Sequence, residues 1–128
     1  MVNAQSKHIL IIEDSLDLQN LLSQLFKSEG YTVTQAFDGR QALDFLRTAS
    51  ELPHLILLDV MMPVMDGIEF RQAQMSDPLL AGIPVLAMSA DASSQPKLLV
   101  EGVVNFIRKP ITDIERLLET VARISVPV

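Results

Sequence analysis

The sequence predicts an α/β fold, a doubly wound parallel sheet built from five strand–helix units. Short apolar runs such as 55–58, LILL, lack the polar alternation of a half-exposed strand and are typical of strands buried on both faces of a parallel sheet. Between these runs, apolar residues recur at helical spacing over stretches long enough for crossover helices. The order of strand then helix occurs five times in 128 residues, as expected for one domain.

The first two units are predicted from strands at 9–12 and 31–36. The first strand is a continuous run of Ile and Leu, and the second is rich in Thr and Val. Asp14 or Ser15 is placed to cap the first helix. The apolar positions of the two helices are Leu18, Leu21, Leu22 and Leu25, then Ala42, Leu43 and Leu46.

The third and fourth strands each end at a polar residue. The third ends at Asp59, and Asp66 is placed to cap the helix that follows, to about residue 75. We expect Arg71 of this helix to be solvated. The fourth strand is predicted at 83–88 and ends at Ser89.

The fourth helix has the weakest pattern and the fifth helix the clearest. Apolar residues in 91–102 are contiguous, and Pro96 allows only a late helix start, so we expect a short or irregular helix. The fifth strand is predicted at 103–107. Thr112 and Glu115 have the spacing of a capping box at the start of the last helix. The apolar stripe of that helix is Ile114, Leu117, Leu118, Val121 and Ile124.

The composition excludes several classes of protein. Sixteen acidic and ten basic residues give a formal net charge of −6, so this domain alone does not suit nucleic-acid binding, which needs a cationic face. Without cysteine, the chain has no disulfide scaffold, thiolate zinc site or cysteine nucleophile. The apolar runs are shorter than the roughly 20 residues that span a bilayer, and residues 1–7 do not resemble a signal peptide. We therefore expect a cytoplasmic protein that does not bind a membrane.

Acidic side chains stand at the carboxyl ends of the first and third predicted strands. In open parallel sheets, ligands bind beyond these ends, where the strand order reverses. If the order is 2-1-3-4-5, these two strands are neighbours there, and Glu13, Asp14 and Asp59 converge. Two carboxylates about 5 Å apart repel by roughly 3 kcal/mol at an effective dielectric of about 20, so a proton, a lysine or a metal must accompany them. Ligands that are all oxygen suit a hard cation such as Mg²⁺.

Lys109 and Ser89 add the groups that phosphoryl transfer needs. An aspartate can act as a nucleophile toward phosphorus and form an aspartyl phosphate. The transferred group then requires positive charge and hydrogen-bond donors around its oxygens. Lys109 follows the fifth strand and supplies the charge, and Ser89 follows the fourth and supplies a hydroxyl. With Asp59, they predict a site that accepts a phosphoryl group.

Four motifs at strand ends resemble those of the receiver domain of bacterial two-component response regulators. They are IIED at 11–14, LLDVMMPVMDG at 57–67, MSA at 88–90 and FIRKP at 106–110. The resemblance extends from about residue 8 to residue 124. It implies a flavodoxin-like sheet of order 2-1-3-4-5 and a single receiver domain over residues 1–128.

The resemblance implies a role for each acidic residue and for the loop after the third strand. Asp59 is the phosphoacceptor. Asp14 binds Mg²⁺ directly, Glu13 binds it through water, and the backbone carbonyl of Met61 is a further metal ligand. Met61 and Asp91 stand where side chains near the attacking water set the lifetime of the phosphate.

The remaining motif residues are implied to form the switch. Ser89 is the hydroxyl that contacts the phosphoryl group, Lys109 is its cationic contact, and the bond from Lys109 to Pro110 is cis. Phe106 stands at the aromatic switch position and lacks a hydroxyl, so its rotamers would differ only by packing. The 20 positions from Ser89 to Lys109 are slightly fewer than usual, and we expect the fourth helix to be shorter.

The implied function is signalling by phosphoryl transfer. A phosphohistidine on a histidine kinase or histidine phosphotransfer protein donates to Asp59 with Mg²⁺, and the altered surface is read by a protein partner. The domain would catalyse only its own phosphorylation and dephosphorylation. One alternative is a pseudo-receiver, an interaction module that is not phosphorylated. Another is an aspartate-nucleophile phosphohydrolase, which would carry a second acid where this chain has Met61.

Overall fold

Five parallel strands form one sheet in the computed structural model, in the order β2-β1-β3-β4-β5. The structure describes residues 7–62, 64–90, 95–103 and 105–125. The strands are β1 (His8–Ile12), β2 (Thr32–Ala36), β3 (Leu55–Asp59), β4 (Val85–Ser89) and β5 (Asn105–Arg108). The helices are α1 (Leu16–Ser28), α2 (Gly39–Thr48), α3 (Gly67–Met75), α4 (Gln95–Val100) and α5 (Ile114–Ile124). The predicted fold class and strand order are confirmed.

Two apolar layers cover the two faces of the sheet. Alternate side chains of β1 point to opposite faces, so Leu10 and Ile12 join one layer while Ile9 and Ile11 join the other. The first layer includes buried residues of α2, α3 and α4, and the second includes buried residues of α1 and α5. All four apolar residues of β1 are fully buried, which explains the continuous apolar run in the sequence.

Short polar side chains cap the N-termini of α1 and α3. Ser15 caps α1 by accepting a hydrogen bond from the Leu18 amide. Asp66 caps α3 as predicted, and Glu69 completes a capping box there.

The start of α5 differs from the prediction. The cap is Asp113, whose carboxylate accepts the amide hydrogen of Arg116, and not Thr112. Both residues have cap-forming side chains, and the helix begins one residue later than the capping-box spacing indicated.

Several strand boundaries also differ from the prediction. The fourth strand, β4, begins at Val85, two residues later than expected, and Ser89 is its last residue and does not follow it. The last strand begins at Asn105, two residues later than expected, because Val103 is buried in the turn after α4, where its amide bonds the Leu98 carbonyl. Among the described residues, α4 is short, as expected, with six residues.

The expectation that Arg71 is solvated was wrong. Its side chain is buried and donates hydrogen bonds to the Glu101 carbonyl and to Gln74 Oε1. Burial lowers the pKa of Arg71, while the charge of Glu101 raises it. The side chain thus joins α3 to the turn that follows α4.

Candidate functional site

Three carboxylates meet at the carboxyl ends of β1 and β3. Glu13 and Asp14 follow β1 directly, and Asp59 is the last residue of β3. The two strands are paired side by side, with Ile12 opposite Leu58. One carboxylate oxygen from each acid lies within 4.8 Å of the others. The expected convergence is therefore present, and it follows from the strand order.

Lys109 places an ammonium group against two of these acids. Its Nζ lies 3.1 Å from Glu13 Oε1 and 3.3 Å from Asp59 Oδ1. The residue follows β5, at the edge of the sheet, and its side chain reaches back past β4 to the neighbouring strand ends. One positive charge thus faces three acidic groups.

The environment of Asp59 disfavours its ionised form. Its pKa is raised from 3.8 to about 6, first because the group is buried and second because Glu13 is close. Lys109 lowers that pKa, but not enough to offset the burial and the acidic neighbours. The pKa of Lys109 is lowered by burial and raised more by the hydrogen bond to Glu13 and the charges of both acids, with a net rise. A second cation would relieve the remaining imbalance.

Glu13 and Asp14 differ in burial although they are adjacent. The Glu13 side chain is 1% exposed, and its second oxygen accepts a hydrogen bond from the Ser15 amide at 3.0 Å. Asp14 is exposed. Glu13 is therefore held within the protein, and Asp14 presents its carboxylate to solvent.

Ser89 and Lys109 are linked through the backbone. The Lys109 amide donates to the Ser89 carbonyl at 3.0 Å, where β4 and β5 end side by side. Ser89 is buried, and the bond between Lys109 and Pro110 is cis, as the resemblance implied.

The loop after Asp59 exposes two apolar side chains, and where α3 begins the chain packs closely against the backbone that follows Asp59. The side chains of Met61 and Val64 are exposed, and Val64 has a left-handed φ of 68°. At Gly67, the first residue of α3, a β-carbon would lie 2.7 Å from Val60 Cα and 3.0 Å from the Asp59 carbonyl oxygen. Only glycine fits this approach, which fixes the backbone beside Asp59. Pro63 of this loop lies outside the described residues.

The two remaining predicted positions lie away from the carboxylates or outside the described residues. Phe106 lies in β5, half-buried, and packs against the core layer that contains α4. Asp91, expected near the attacking water, belongs to the part of the chain that the structure does not describe.

One buried side chain beside the site was not predicted from the sequence. Gln19 of α1 is fully buried and donates to backbone carbonyls at the ends of β1 and β2. A polar residue within the apolar side of a helix was the signal that could have found it, because it shares that side with Leu22 and Phe26.

An apolar groove lies next to the site and was also not predicted. Its volume is about 500 Å³. It is lined by Leu18, Leu21, Leu22, Leu25, Lys109, Pro110, Ile111 and Ile114. Leu21 is 60% exposed, so part of an apolar stripe faces solvent. Because Lys109 lines the groove and its ammonium group contacts Asp59, this side chain lies between the groove and the acidic cluster.

No helix in the described part of the chain is both long enough and apolar enough to span a bilayer.

A family model described as response regulator receiver domain matches residues 9–122. Over 109 residues, the chain is 34% identical to hybrid signal transduction histidine kinase D of Dictyostelium discoideum, covering 84% of this chain and 7% of that protein. The chain thus spans a small part of that relative.

Solved structures of receiver domains are similar to this chain over most of its length. The signal receiver domain of a signal transduction histidine kinase from Syntrophus aciditrophicus superposes with a TM-score of 0.83 at 33% identity, covering 93% of this chain and 89% of that one. The receiver domain of sensor histidine kinase PA1611 from Pseudomonas aeruginosa has a TM-score of 0.82 at 26% identity, covering 92% and 96%. That structure has a magnesium ion coordinated in its active site cleft.

Proposed function

Since the chain belongs to the response regulator receiver domain family, we propose that it accepts a phosphoryl group on Asp59 and thereby switches a protein-interaction surface. The observation that carries the proposal is the position of Lys109, whose ammonium group bridges Asp59 and Glu13 beside Asp14. The carboxyl ends of the strands thus bring together a buried nucleophile, a cation for the incoming group and acids for a metal. The donor is a phosphohistidine of a histidine kinase or a histidine phosphotransfer protein.

The acidic cluster fits Mg²⁺. Three ionised carboxylates and one ammonium carry a combined charge of −2, which one divalent cation would balance. Oxygen ligands few enough to leave room for water and a phosphoryl oxygen are what Mg²⁺ prefers. Asp14 and Asp59 would bind the ion directly, and Glu13 would bind it through water. The backbone carbonyl of Met61 would be the remaining ligand from the protein. When bound, the ion neutralises charge on the phosphoryl oxygens.

The transfer exchanges one bond to phosphorus for another. An oxygen of the Asp59 carboxylate bonds to phosphorus while the bond from phosphorus to the donor's imidazole nitrogen breaks. That nitrogen keeps the bonding electron pair and later takes up a proton. Lys109 stabilises the charge on the phosphoryl oxygens throughout.

The new group changes what Ser89 and Lys109 contact. An aspartyl phosphate adds negative charge and acceptor oxygens, so the Ser89 hydroxyl gains a strong acceptor. The Lys109 amide donates a hydrogen bond to the Ser89 carbonyl, so a shift at the end of β4 is transmitted to the end of β5. Phe106, half-buried in β5, repacks as a consequence, and the surface near α4 changes.

The groove beside Lys109 favours a protein donor. The exposed Leu21 and the half-buried Leu18 and Leu25 suit the apolar face of a partner helix, and the position of Lys109 between the groove and Asp59 would bring a histidine on such a helix toward Asp59. Small phosphodonors need no such surface.

Phosphorylation of Asp59 is tested with acetyl phosphate and Mg²⁺, followed by intact mass measurement. We expect one phosphoryl group on the wild type and on Asp17→Ala, which removes an exposed acid of α1, and none on Asp59→Ala. A wild type that stays unmodified would favour the pseudo-receiver instead. Modification of Asp59→Ala at the wild-type level would place the phosphoryl group elsewhere.

The groove is tested by comparing a protein donor with a small one. Leu21→Glu should slow transfer from a phosphorylated histidine kinase that modifies the wild type, but not from acetyl phosphate. Leu79→Glu, at an 80% exposed leucine that does not line the groove, is the matched control and should slow neither. Equal rates for the two variants with the kinase would remove the groove from the proposal.

The same proposal extends to the organisation of the chain. We propose that residues 1–128 hold a single receiver domain with its core at about 8–124 and that it is located in the cytoplasm. The domain acts on no separate substrate and promotes only its own phosphorylation and dephosphorylation. It works through protein partners, without nucleic acid or membrane binding of its own.

A further inference from the structure

Gln19 ties together the backbone next to the acidic cluster. Its side-chain nitrogen lies 3.1 Å from the Ile11 carbonyl oxygen, 3.3 Å from that of Glu13 and 3.0 Å from that of Ala36. Its side-chain oxygen accepts a hydrogen bond from the Ser23 hydroxyl. Three carbonyl oxygens around one end of the amide require its nitrogen there, so the orientation of the side chain follows from its neighbours.

These contacts surround Glu13 on both sides. The Ala36 carbonyl that accepts from Gln19 also accepts the Glu13 amide hydrogen at 3.0 Å. The peptide group before Glu13 is therefore held by the Ala36 carbonyl at the end of β2, and the peptide group after Glu13 is held by the Gln19 side chain. The Glu13 carboxylate is held separately, by the Ser15 amide and Lys109.

We propose that Gln19 is a positioning residue for the metal site, acting through the backbone of Glu13 to set where the carboxylates of Glu13 and Asp14 lie. The inference rests on the proposed function only in taking the acidic cluster as a Mg²⁺ site. The hydrogen bonds of the Gln19 side chain go to backbone carbonyls and to Ser23, and not to the carboxylates of the cluster. Replacing a residue that orients metal ligands without binding the metal itself typically weakens metal affinity by 10-fold or more.

A purely structural role predicts a different result, and the chain offers a matched control. Gln74 of α3 is also fully buried, and its side-chain nitrogen also donates to backbone carbonyls, those of Leu80 and Ile83. Those carbonyls precede β4 and therefore lie near the amino ends of the strands, whereas the acids lie at the carboxyl ends. Loss of either amide removes buried hydrogen bonds and lowers stability. Only loss of Gln19 should weaken the metal site.

The experiment compares Gln19→Met and Gln74→Met by calorimetric titration with MgCl₂. Methionine keeps similar length and removes the hydrogen bonds. We expect the dissociation constant for Mg²⁺ to rise about 10-fold or more in Gln19→Met, and to change less than about twofold in Gln74→Met. Urea unfolding without Mg²⁺ verifies that both variants are folded. Equal dissociation constants for Gln19→Met and the wild type would overturn the proposal.

A measurement on the wild type removes any dependence on folding of the variants. The side-chain amide signals of Gln19 and Gln74 are followed by nuclear magnetic resonance as MgCl₂ is added. The Gln19 signal should shift with the same dissociation constant as calorimetry gives, and the Gln74 signal should not. A Gln19 signal that moves no more than that of Gln74 contradicts the proposal. Absence of Mg²⁺ binding by the wild type would instead refute the proposed metal site itself.

Discussion

The ammonium of Lys109 lies 3.3 Å from Asp59, yet the pKa of Asp59 is raised to about 6. Burial and the neighbouring acids therefore outweigh the ion pair in the metal-free protein. Lys109 divides its attraction between Asp59 and Glu13, and the Glu13 contact is the shorter one. The site holds excess negative charge, which is the condition under which a divalent cation binds with the most benefit.

The raised pKa predicts that Asp59→Asn stabilises the metal-free protein. The native state binds more protons than the unfolded chain between about pH 4 and pH 6, so this carboxyl lowers the free energy of unfolding as pH rises through that range. At about pH 7.5 we expect Asn to add ~1–3 kcal/mol. Urea unfolding in EDTA measures it, and the gain should shrink near pH 4.5. A gain that is the same at both pH values would contradict the assignment.

Lys109→Ala should destabilise the metal-free protein. Removing the ammonium leaves the two buried acids without their cation, which we expect to cost ~1–3 kcal/mol, less than for a fully buried pair because Lys109 is partly exposed. Saturating Mg²⁺ should restore most of the loss. Lys97→Ala, at an exposed lysine of α4, is the control. Equal stability of the two variants in EDTA would show that the ion pairs contribute little.

Asp14→Ala should weaken Mg²⁺ binding without weakening the fold. The carboxylate is exposed, so its loss removes a ligand and leaves the core intact. Calorimetry should show a dissociation constant about 10-fold higher or more, while urea unfolding in EDTA stays within ~0.5 kcal/mol of the wild type. An unchanged Mg²⁺ titration would remove Asp14 from the ligand set.

Gly67→Ala should disturb the backbone at Asp59. The new β-carbon would lie 2.7 Å from Val60 Cα, and backbone must move to accept it. We expect a loss of ~1–3 kcal/mol in the free energy of unfolding and slower modification by acetyl phosphate. Gly82→Ala adds its methyl group to open space and serves as the control. Two variants that behave alike would show that the approach of Gly67 is not a constraint.

Val64→Asn should stabilise the protein. A β-branched residue at a φ of 68° is strained, asparagine tolerates this conformation, and the exposed valine side chain loses little packing. The expected gain in the free energy of unfolding is ~1 kcal/mol. Val64→Thr, which keeps the branch, is the control and should show no gain in urea unfolding.

The sequence predicts the strands because each depends on a short-range pattern, and it predicts the meeting of the acids once the strand order is given. An apolar run followed by Asp59 is a buried strand with an acid at its end, wherever the neighbouring strands lie. Cap positions are less certain, since Thr112 and Asp113 are adjacent and either side chain can cap a helix. Packing of the whole chain, which no local pattern contains, decides between them.

Side-chain contacts within the site could not be predicted in the same way. That Lys109 bonds Glu13 and Asp59 depends on the direction of three side chains and on which acid is buried. Arg71 donates hydrogen bonds to Gln74 and to the carbonyl of Glu101, which is distant in sequence. The local pattern around Arg71 therefore gave no sign of this buried polar network. Gln19 shows where a sign existed, as a polar residue on an otherwise apolar side of α1.

The reach of Lys109 couples the chemistry of the site to the emergence of the residues after β5. Its ion pairs join residues 96 and 50 positions apart, and the strand that it follows comes last among the described strands. A nascent polypeptide whose first four strands have left the ribosome already holds every acid of the cluster but lacks the lysine. We expect such a chain to be inert toward a phosphodonor until Lys109 has emerged.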